Sequence, residues 1–378
     1  MTAGELNTQQ TRRDDGHAAR FPYPLSGTAL AMVVTAAVFW AFFTNIANYN
    51  LDSYRDMLQN HGWGIRWQWG NSSHPPLFGW ITAAWFEVFP RTNLAYRFLA
   101  SINLALSLCI ILLLARRVIE PKRQVVMVAV AILLPLLGFQ AQIYNANSAM
   151  LPFWALTAYL YVISIERPTA LRLAALGFAA ALAMLAKYHS AVLLMALTAH
   201  AFWFQPARMV LLSPRLLWVI AGFAPLAAMH VHWLFANDFA PIVFAAAEQG
   251  ETTISNIAFR QIEFFAAQII YALPGLLALA VLWRPRDTVL SDARAAAAAF
   301  FVTATGSVAL FVVVGSVVFT MLLGILVWSP LTANWSLPVF LFVTLVFVGC
   351  LTPNFEVSRL RPLIVAYGAL MLFLLAIA

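Results

Sequence analysis

The sequence predicts an all-α polytopic membrane protein, a bundle of about eleven transmembrane helices. Mean hydropathy is +0.82 and only 10% of residues are charged, against about 25% in soluble domains. Apolar runs near 26–44, 96–115, 124–139, 148–164, 170–186, 190–204, 216–236, 264–283, 296–326, 336–351 and 363–378 approach or exceed the roughly 17 to 25 residues that a spanning helix needs. A membrane β-barrel would instead show alternating segments of about ten residues, and the uninterrupted apolar runs exclude it.

The elements follow in order. Residues 1–25 are polar and form a cytoplasmic tail, and 26–378 form a single transmembrane domain. The first apolar run is long enough to span, so it is expected to act as both signal and anchor, with no cleavable signal peptide. Cys109 and Cys350 both sit inside apolar runs and read as small buried hydrophobes. No separate soluble domain and no internal repeat of the transporter kind is visible.

Charge orients the bundle. With the tail (Arg12, Arg13, Arg20) in the cytoplasm, alternation through the spans places sixteen of the 22 Lys and Arg residues on that side, as the positive-inside rule requires. The net charge of +7 is therefore a topological signal, and no nucleic-acid partner is needed to explain it. Six basic residues fall on the outer side or at outer helix ends: Arg55, Arg66, Arg91, Arg97, Lys187 and Arg260. Snorkelling or a local ion pair is one reason for them, and an anionic ligand such as a phosphate is the other.

Two outer segments are long, 46–95 and roughly 237–263, and long loops between rigid elements are where sites tend to sit. In the first, Tyr54, Met57, Leu58 and His61 share one helical face while Asp52, Arg55, Asp56 and Gln59 share another. That pattern predicts a surface helix starting at or just after Asp52. A second is expected after Pro75-Pro76, since proline suits a helix start and opposes a helix interior.

The chemistry-bearing residues concentrate here. Asp52 could cap the surface helix or act as a base toward an acceptor hydroxyl, with Asp56 as the fallback carboxylate. Arg55 could pair with Asp52 or Asp56, or bind a phosphate oxygen. His74 is a candidate phosphate or hydroxyl contact. The five tryptophans Trp63, Trp67, Trp69, Trp80 and Trp85 suit sugar stacking, but they are read mainly as interfacial anchors. Further on, Asn147 lies in a Tyr144–Ser148 segment where helix capping is the more ordinary role, and Lys187-Tyr188-His189 falls between two apolar runs where it could neutralise a phosphate. Arg260 decorates the second outer loop with Glu248, Glu251 and Glu263. No phosphate-cradling glycine loop is present, so direct use of a nucleotide is not expected; no cofactor is assigned, and a divalent metal stays open without support from ligand spacing.

The motifs, in this order and on these sides of the membrane, resemble a known group. The chain resembles the GT-C-fold membrane glycosyltransferases of the family 39-like kind, which include protein O-mannosyltransferases, lipid A aminoarabinose transferases and rhizobial galacturonosyltransferases. The likeness runs along nearly the whole chain. It rests on Leu51-Asp52-Ser53-Tyr54-Arg55, on Ser73-His74-Pro75-Pro76-Leu77, on the Asn147 segment, and on Gly177 with Leu185-Ala186-Lys187-Tyr188. It implies a sugar donor carried on polyprenyl phosphate, a lipid, glycan or protein acceptor, and a site open to the outer face of a bacterial cytoplasmic membrane. Asp52 would be the base, with Arg55, His74 and Lys187 on the lipid phosphate.

Two positions depart from the group's pattern. Asp52-Ser53 stands where many relatives have Asp-Glu, and Asn147 stands where relatives often have an aspartate. The large outer C-terminal domain of some relatives also has no counterpart in these 378 residues. A secondary transporter is the rival from another class, and a ligase or polymerase of lipid-linked glycans is a third reading. Transporters carry their ionisable and broken-helix sites near the midplane, whereas here the distinctive polar residues gather at the outer end.

Overall fold

The computed structural model describes residues 22–48, 51, 56–248, 253–282, 290–350 and, beyond them, positions 361, 362, 365, 368, 369, 372, 373 and 376. The N-terminal tail, Asp52, Arg55 and Glu251 lie outside the described residues, as does most of the last apolar run.

The described chain is helical throughout. Helix α1 (Gly27–Ala47) begins where the Ser26 side chain accepts from the Ala29 N–H, and it is followed by α2 (Asp56–Gly64) and α3 (Leu77–Val88). Helix α4 (Asn93–Ala115) is capped by Thr92, and α5 (Pro121–Leu133) starts at a proline, which the first turn tolerates. Pro135 stops α5 and opens the single turn α6 (Pro135–Gly138), so the fifth element and its continuation bend by 78°. Then come α7 (Ala146–Glu166), α8 (Ala170–Ala186), α9 (Ala191–Trp203), α10 (Gln205–Leu211) and α11 (Leu216–Ala236). The rest are α12 (Ala240–Glu248), α13 (Ile254–Leu282), α14 (Leu290–Phe301), α15 (Ala304–Leu326) and α16 (Val339–Cys350).

Among the described residues six helices have the length and hydropathy to cross a bilayer, and the bent pair makes a seventh. The expected eleven counted shorter apolar helices, such as Ala170–Ala186 and Val339–Cys350, as spans. The run 296–326 is two helices. Thr303 breaks it, accepting from the Gly306 N–H at 2.9 Å and donating to the Phe300 carbonyl at 2.7 Å.

Two expectations about the loops are corrected. The segment 237–263 is mostly helix, because Ile257, Gln261 and Phe264 repeat at helical spacing and bury one face of α13. In α2 the buried residues are Met57, Asn60 and Gly64, while Leu58 is 61% exposed. A close approach at Gly64 decides that rotation. A side chain there would strike the Gly79 carbonyl of α3, so only glycine lets the two short helices meet.

The same device joins two long helices. At the crossing of α8 and α11 a Cβ on Gly177 would run into the Val219 carbonyl, and one on Gly222 into the Ala174 carbonyl. Small residues on both sides bring backbones together where dispersion, rather than water exclusion, drives packing. Large apolar side chains such as Phe202, Leu217, Phe235, Ile262 and Leu277 face outward, as lipid-exposed positions do.

Gly222→Val should force α8 and α11 apart and lower stability by about 1 to 3 kcal/mol, read as a drop in the thermal midpoint of the purified protein in detergent. Gly62→Ala serves as the control, since nothing lies within 4 Å of a Cβ there.

Candidate functional site

The site is founded on a buried charge. Arg97 is 1% exposed near the start of α4. Its guanidinium donates to the carbonyls of Asn48 (3.0 Å), Leu51 and Gln142 (3.3 Å) and lies 3.8 Å from the Met57 sulfur. It thus ties the end of α1, the approach to α2 and the turn before α7 to one point. Leu51 is held at a left-handed φ of 66°, a conformation that costs a non-glycine residue about 1 to 3 kcal/mol. The next residue is Asp52. The sequence listed Arg97 only as an outer-side cation; a charge inside the run 96–115 was the available signal that it is enclosed.

A polar cluster sits against this support. Asn145 caps α7, its side-chain oxygen accepting from the N–H groups of Asn147 (2.9 Å) and Ser148 (3.2 Å), and Ser148 completes a capping box. Its amide nitrogen donates to Asp56 Oδ2 at 3.0 Å. Capping therefore belongs to Asn145, which frees Asn147. The Asn147 side-chain oxygen accepts instead from Lys187 Nζ at 2.5 Å.

Lys187 ends α8. Its backbone is extended (φ −163°, ψ 138°) and its ammonium sits 5.3 Å over the Trp335 ring, a cation–π contact. Burial pulls its pKa down to about 7, with the Asp56 carboxylate opposing the fall. His74 and His189 both feel the Lys187 charge, and burial first, then that charge, pushes each down to about 3. Both imidazoles are therefore neutral at ordinary pH and offer N–H donors without adding charge. His189 lies parallel to Trp154 at 6.4 Å and its Nε2 is 3.3 Å from the Thr320 hydroxyl.

The neighbouring Tyr188 links this corner to the first loop. His230 Nδ1 lies 2.5 Å from the Trp69 carbonyl and its Nε2 lies 2.9 Å from the Tyr188 hydroxyl. Because a carbonyl only accepts, Nδ1 carries the proton and Nε2 accepts from Tyr188. The tryptophans stiffen the same loop. Trp80 Nε1 donates to the Gln68 carbonyl, Trp85 Nε1 donates to the Ala95 carbonyl, and Trp69 meets Trp80 edge-on at 4.8 Å. Trp63 packs edge-on to His74 at 5.9 Å. Trp67 is exposed and the other four are partly buried, packed against the loop while keeping part of their surface open.

The structure thus brings together Asp56, His74, Asn147, Lys187 and Tyr188, and adds Asn145, His189, His230 and Trp335 to them. Asp52 and Arg55 lie outside the described residues. Arg260 is elsewhere: it is exposed on α13 and paired with Glu263 at 2.6 Å, one turn on. Among the described residues no three His, Cys, Asp or Glu side chains gather as a metal site would require.

The fold has solved counterparts. A crystal structure of ArnT from Cupriavidus metallidurans bound to undecaprenyl phosphate superposes with a TM-score of 0.63 at 14% identity, over 90% of this chain and 63% of that one. The chain has the GT-C fold. The apo structure of the same ArnT gives 0.59 at 14% identity, over 86% of this chain and 60% of that one. The GT-C chain described here thus spans less than two thirds of those proteins. Its residues 73–235 match the family described as dolichyl-phosphate-mannose-protein mannosyltransferase, a stretch that runs from the residue before His74 through Lys187 to the end of α11. No curated protein sequence matches it.

Arg97→Met should strand buried carbonyls in the GT-C bundle and cost at least about 3 kcal/mol, given about 1 to 3 kcal/mol for each unsatisfied group. Denaturant unfolding would show the loss, and limited proteolysis should cut faster between α1 and α2.

Proposed function

We propose that this chain transfers a sugar from a polyprenyl-phosphate donor to an acceptor hydroxyl at the outer face of a bacterial cytoplasmic membrane, with its N-terminus in the cytoplasm. The observation that carries the reading is the convergence of Lys187, Asn147, Asp56 and His74 from three separate parts of the chain on one corner of the bundle. Such a corner has what a lipid phosphate needs: one cation that can be protonated, neutral N–H donors, and an apolar surround. Its similarity to an ArnT structure bound to undecaprenyl phosphate supports the donor class, and so does a matching family described by a dolichyl-phosphate sugar.

The chemistry balances with few groups. The acceptor oxygen attacks the anomeric carbon, the bond from that carbon to the phosphate oxygen breaks, and the phosphate leaves with the electron pair. The positive charge of Lys187, with His74 as a neutral donor, meets the charge that develops on the leaving oxygen. A carboxylate takes the acceptor's proton, and Asp52 holds that role here. Asp56 has another: it orients Asn145 and opposes the burial that lowers the Lys187 pKa. Arg55 completes the phosphate contacts, whereas Tyr188 gives its hydroxyl proton to His230 and so positions the first loop, and Arg260, paired with Glu263 on an exposed face, takes no part. The acceptor is a lipid, a glycan or a protein side chain.

The linkage has a definite sign. Free Lys187 titrates near 7, and a bound phosphate favours its charged form, so binding above that pH takes up a proton. Affinity for undecaprenyl phosphate, the carrier that leaves on transfer, should fall by up to about tenfold per pH unit above pH 7, measured between pH 7 and 9, above the phosphate's own second ionisation near 6. Lys187→Met should abolish this pH dependence and Asp56→Asn should move its midpoint to lower pH. An unchanged profile in Lys187→Met would remove the lysine from the phosphate site.

Asp52→Asn separates base from binder. Sugar transfer should fall by about 10²- to 10⁴-fold, the range for loss of a general base, with undecaprenyl phosphate affinity unchanged. Near-normal transfer would dismiss Asp52 as the base.

A further inference from the structure

Beside the Lys187 corner lies a pocket of about 410 Å³ between the first loop and the end of α11. Trp63 and Trp233 line it, together with Arg66, Gln68, Gly70, Asn71 and Asp238. Trp63 is the shared wall, since it packs edge-on against His74 at 5.9 Å, and His74 feels the Lys187 charge.

The lining is of a particular kind. Trp233 lies parallel to His230 at 6.3 Å, and a side chain at Gly70 would collide with its ring, so the indole is wedged in one place. Asn71 is 8% exposed; its side-chain oxygen accepts from the N–H groups of Ser73 and His74, while its amide nitrogen makes no hydrogen bond among the described residues. Asp238 and Arg66 are both exposed and form no ion pair among the described residues.

The backbone at Asp238 adds an independent observation. Helix α11 ends with the Phe239 N–H on the Leu234 carbonyl at 2.9 Å, a helix stop whose left-handed position is usually glycine. Here Asp238 has φ 49° and the following Phe239 φ 54°. Glycine would be cheaper at both, and two such residues in succession cost about 1 to 3 kcal/mol each. The strain is kept together with an exposed carboxylate that makes no ion pair among the described residues, which is the pattern of a ligand contact.

We infer that this pocket binds the sugar rings of a glycan acceptor. A saccharide presents apolar C–H faces that pack on indole rings, and hydroxyls that donate to Asp238 and accept from Arg66 and the Asn71 amide. Through Trp63 it would lie next to the donor phosphate, as transfer requires. The inference rests on the transferase reading for the word acceptor, but saccharide binding itself does not.

The test uses the full chain in lipid nanodiscs, free of maltoside detergent, with saturation-transfer NMR on maltotriose, chitotriose and glucosamine 6-phosphate. At least one should bind, and Asp238→Ala or Trp233→Ala should weaken it by about tenfold, the loss of one charged hydrogen bond or one aromatic face. Lys187→Met should leave saccharide binding intact. Arg66→Ala should weaken glucosamine 6-phosphate more than the neutral sugars if the acceptor glycan is phosphorylated, and all probes alike if it is neutral. Binding by none of the probes, or loss through Lys187→Met but not through the pocket variants, overturns the pocket. Undecaprenyl phosphate affinity on the same samples keeps the two readings apart. Its loss in Asp238→Ala would place the pocket in the donor site and overturn the acceptor assignment; its absence in the wild type would count against the transferase reading alone.

Discussion

A guanidinium closed inside an apolar bundle must be met by oxygen, and for Arg97 that oxygen comes from backbone. Carbonyls of Asn48, Leu51 and Gln142 converge on it from the end of α1, the loop beyond and the turn before α7. A bonded charge of this kind is expensive to strip, because each carbonyl left behind would be buried without a partner. The consequence is positional. The stretch that leads to the acidic residues of the first loop and the turn that leads to the Asn145 cap cannot move independently, so the two sides of the corner are registered before Lys187 arrives.

Lys187 reaches that corner because α8 stops one residue earlier, and α8 is placed by its glycine-to-backbone contact with α11. The same crossing holds His230, whose fixed tautomer joins Trp69 to Tyr188. Close helix packing, rather than any loop sequence, therefore sets the distance between the lysine and the first loop. The lowered pKa of Lys187 follows from that enclosure, and Asp56 sets how far it falls.

Much of this was legible in residues. The proline start of α3 and the lysine between two apolar helices lie where the pattern put them. What misled was the assignment of partners. Asn147 reads as a cap, yet the neighbouring Asn145 takes the cap and Asn147 takes the lysine. Arg260 reads as a ligand cation, yet Glu263 one turn away satisfies it on an exposed face. The tryptophans read as interfacial anchors, and four of them also brace the loop through partly buried ring contacts and hydrogen bonds that the sequence does not show. Adjacent residues of one type are indistinguishable in a sequence, and only three-dimensional neighbours decide which of them bonds to what.

By itself, the sequence determined that the chain is a helical bundle for a bilayer and which segment carries its polar residues. Hydropathy and helix-breaking residues act locally, over about the length of one span, so a linear pattern contains them. The rotation of α2, the division of the run 296–326 and the gathering of Asp56, Asn147 and Lys187 from positions up to 131 residues apart were decided by packing. Those choices depend on which backbone can approach which, and at Gly64, Gly177 and Gly222 that is settled by the helix on the other side.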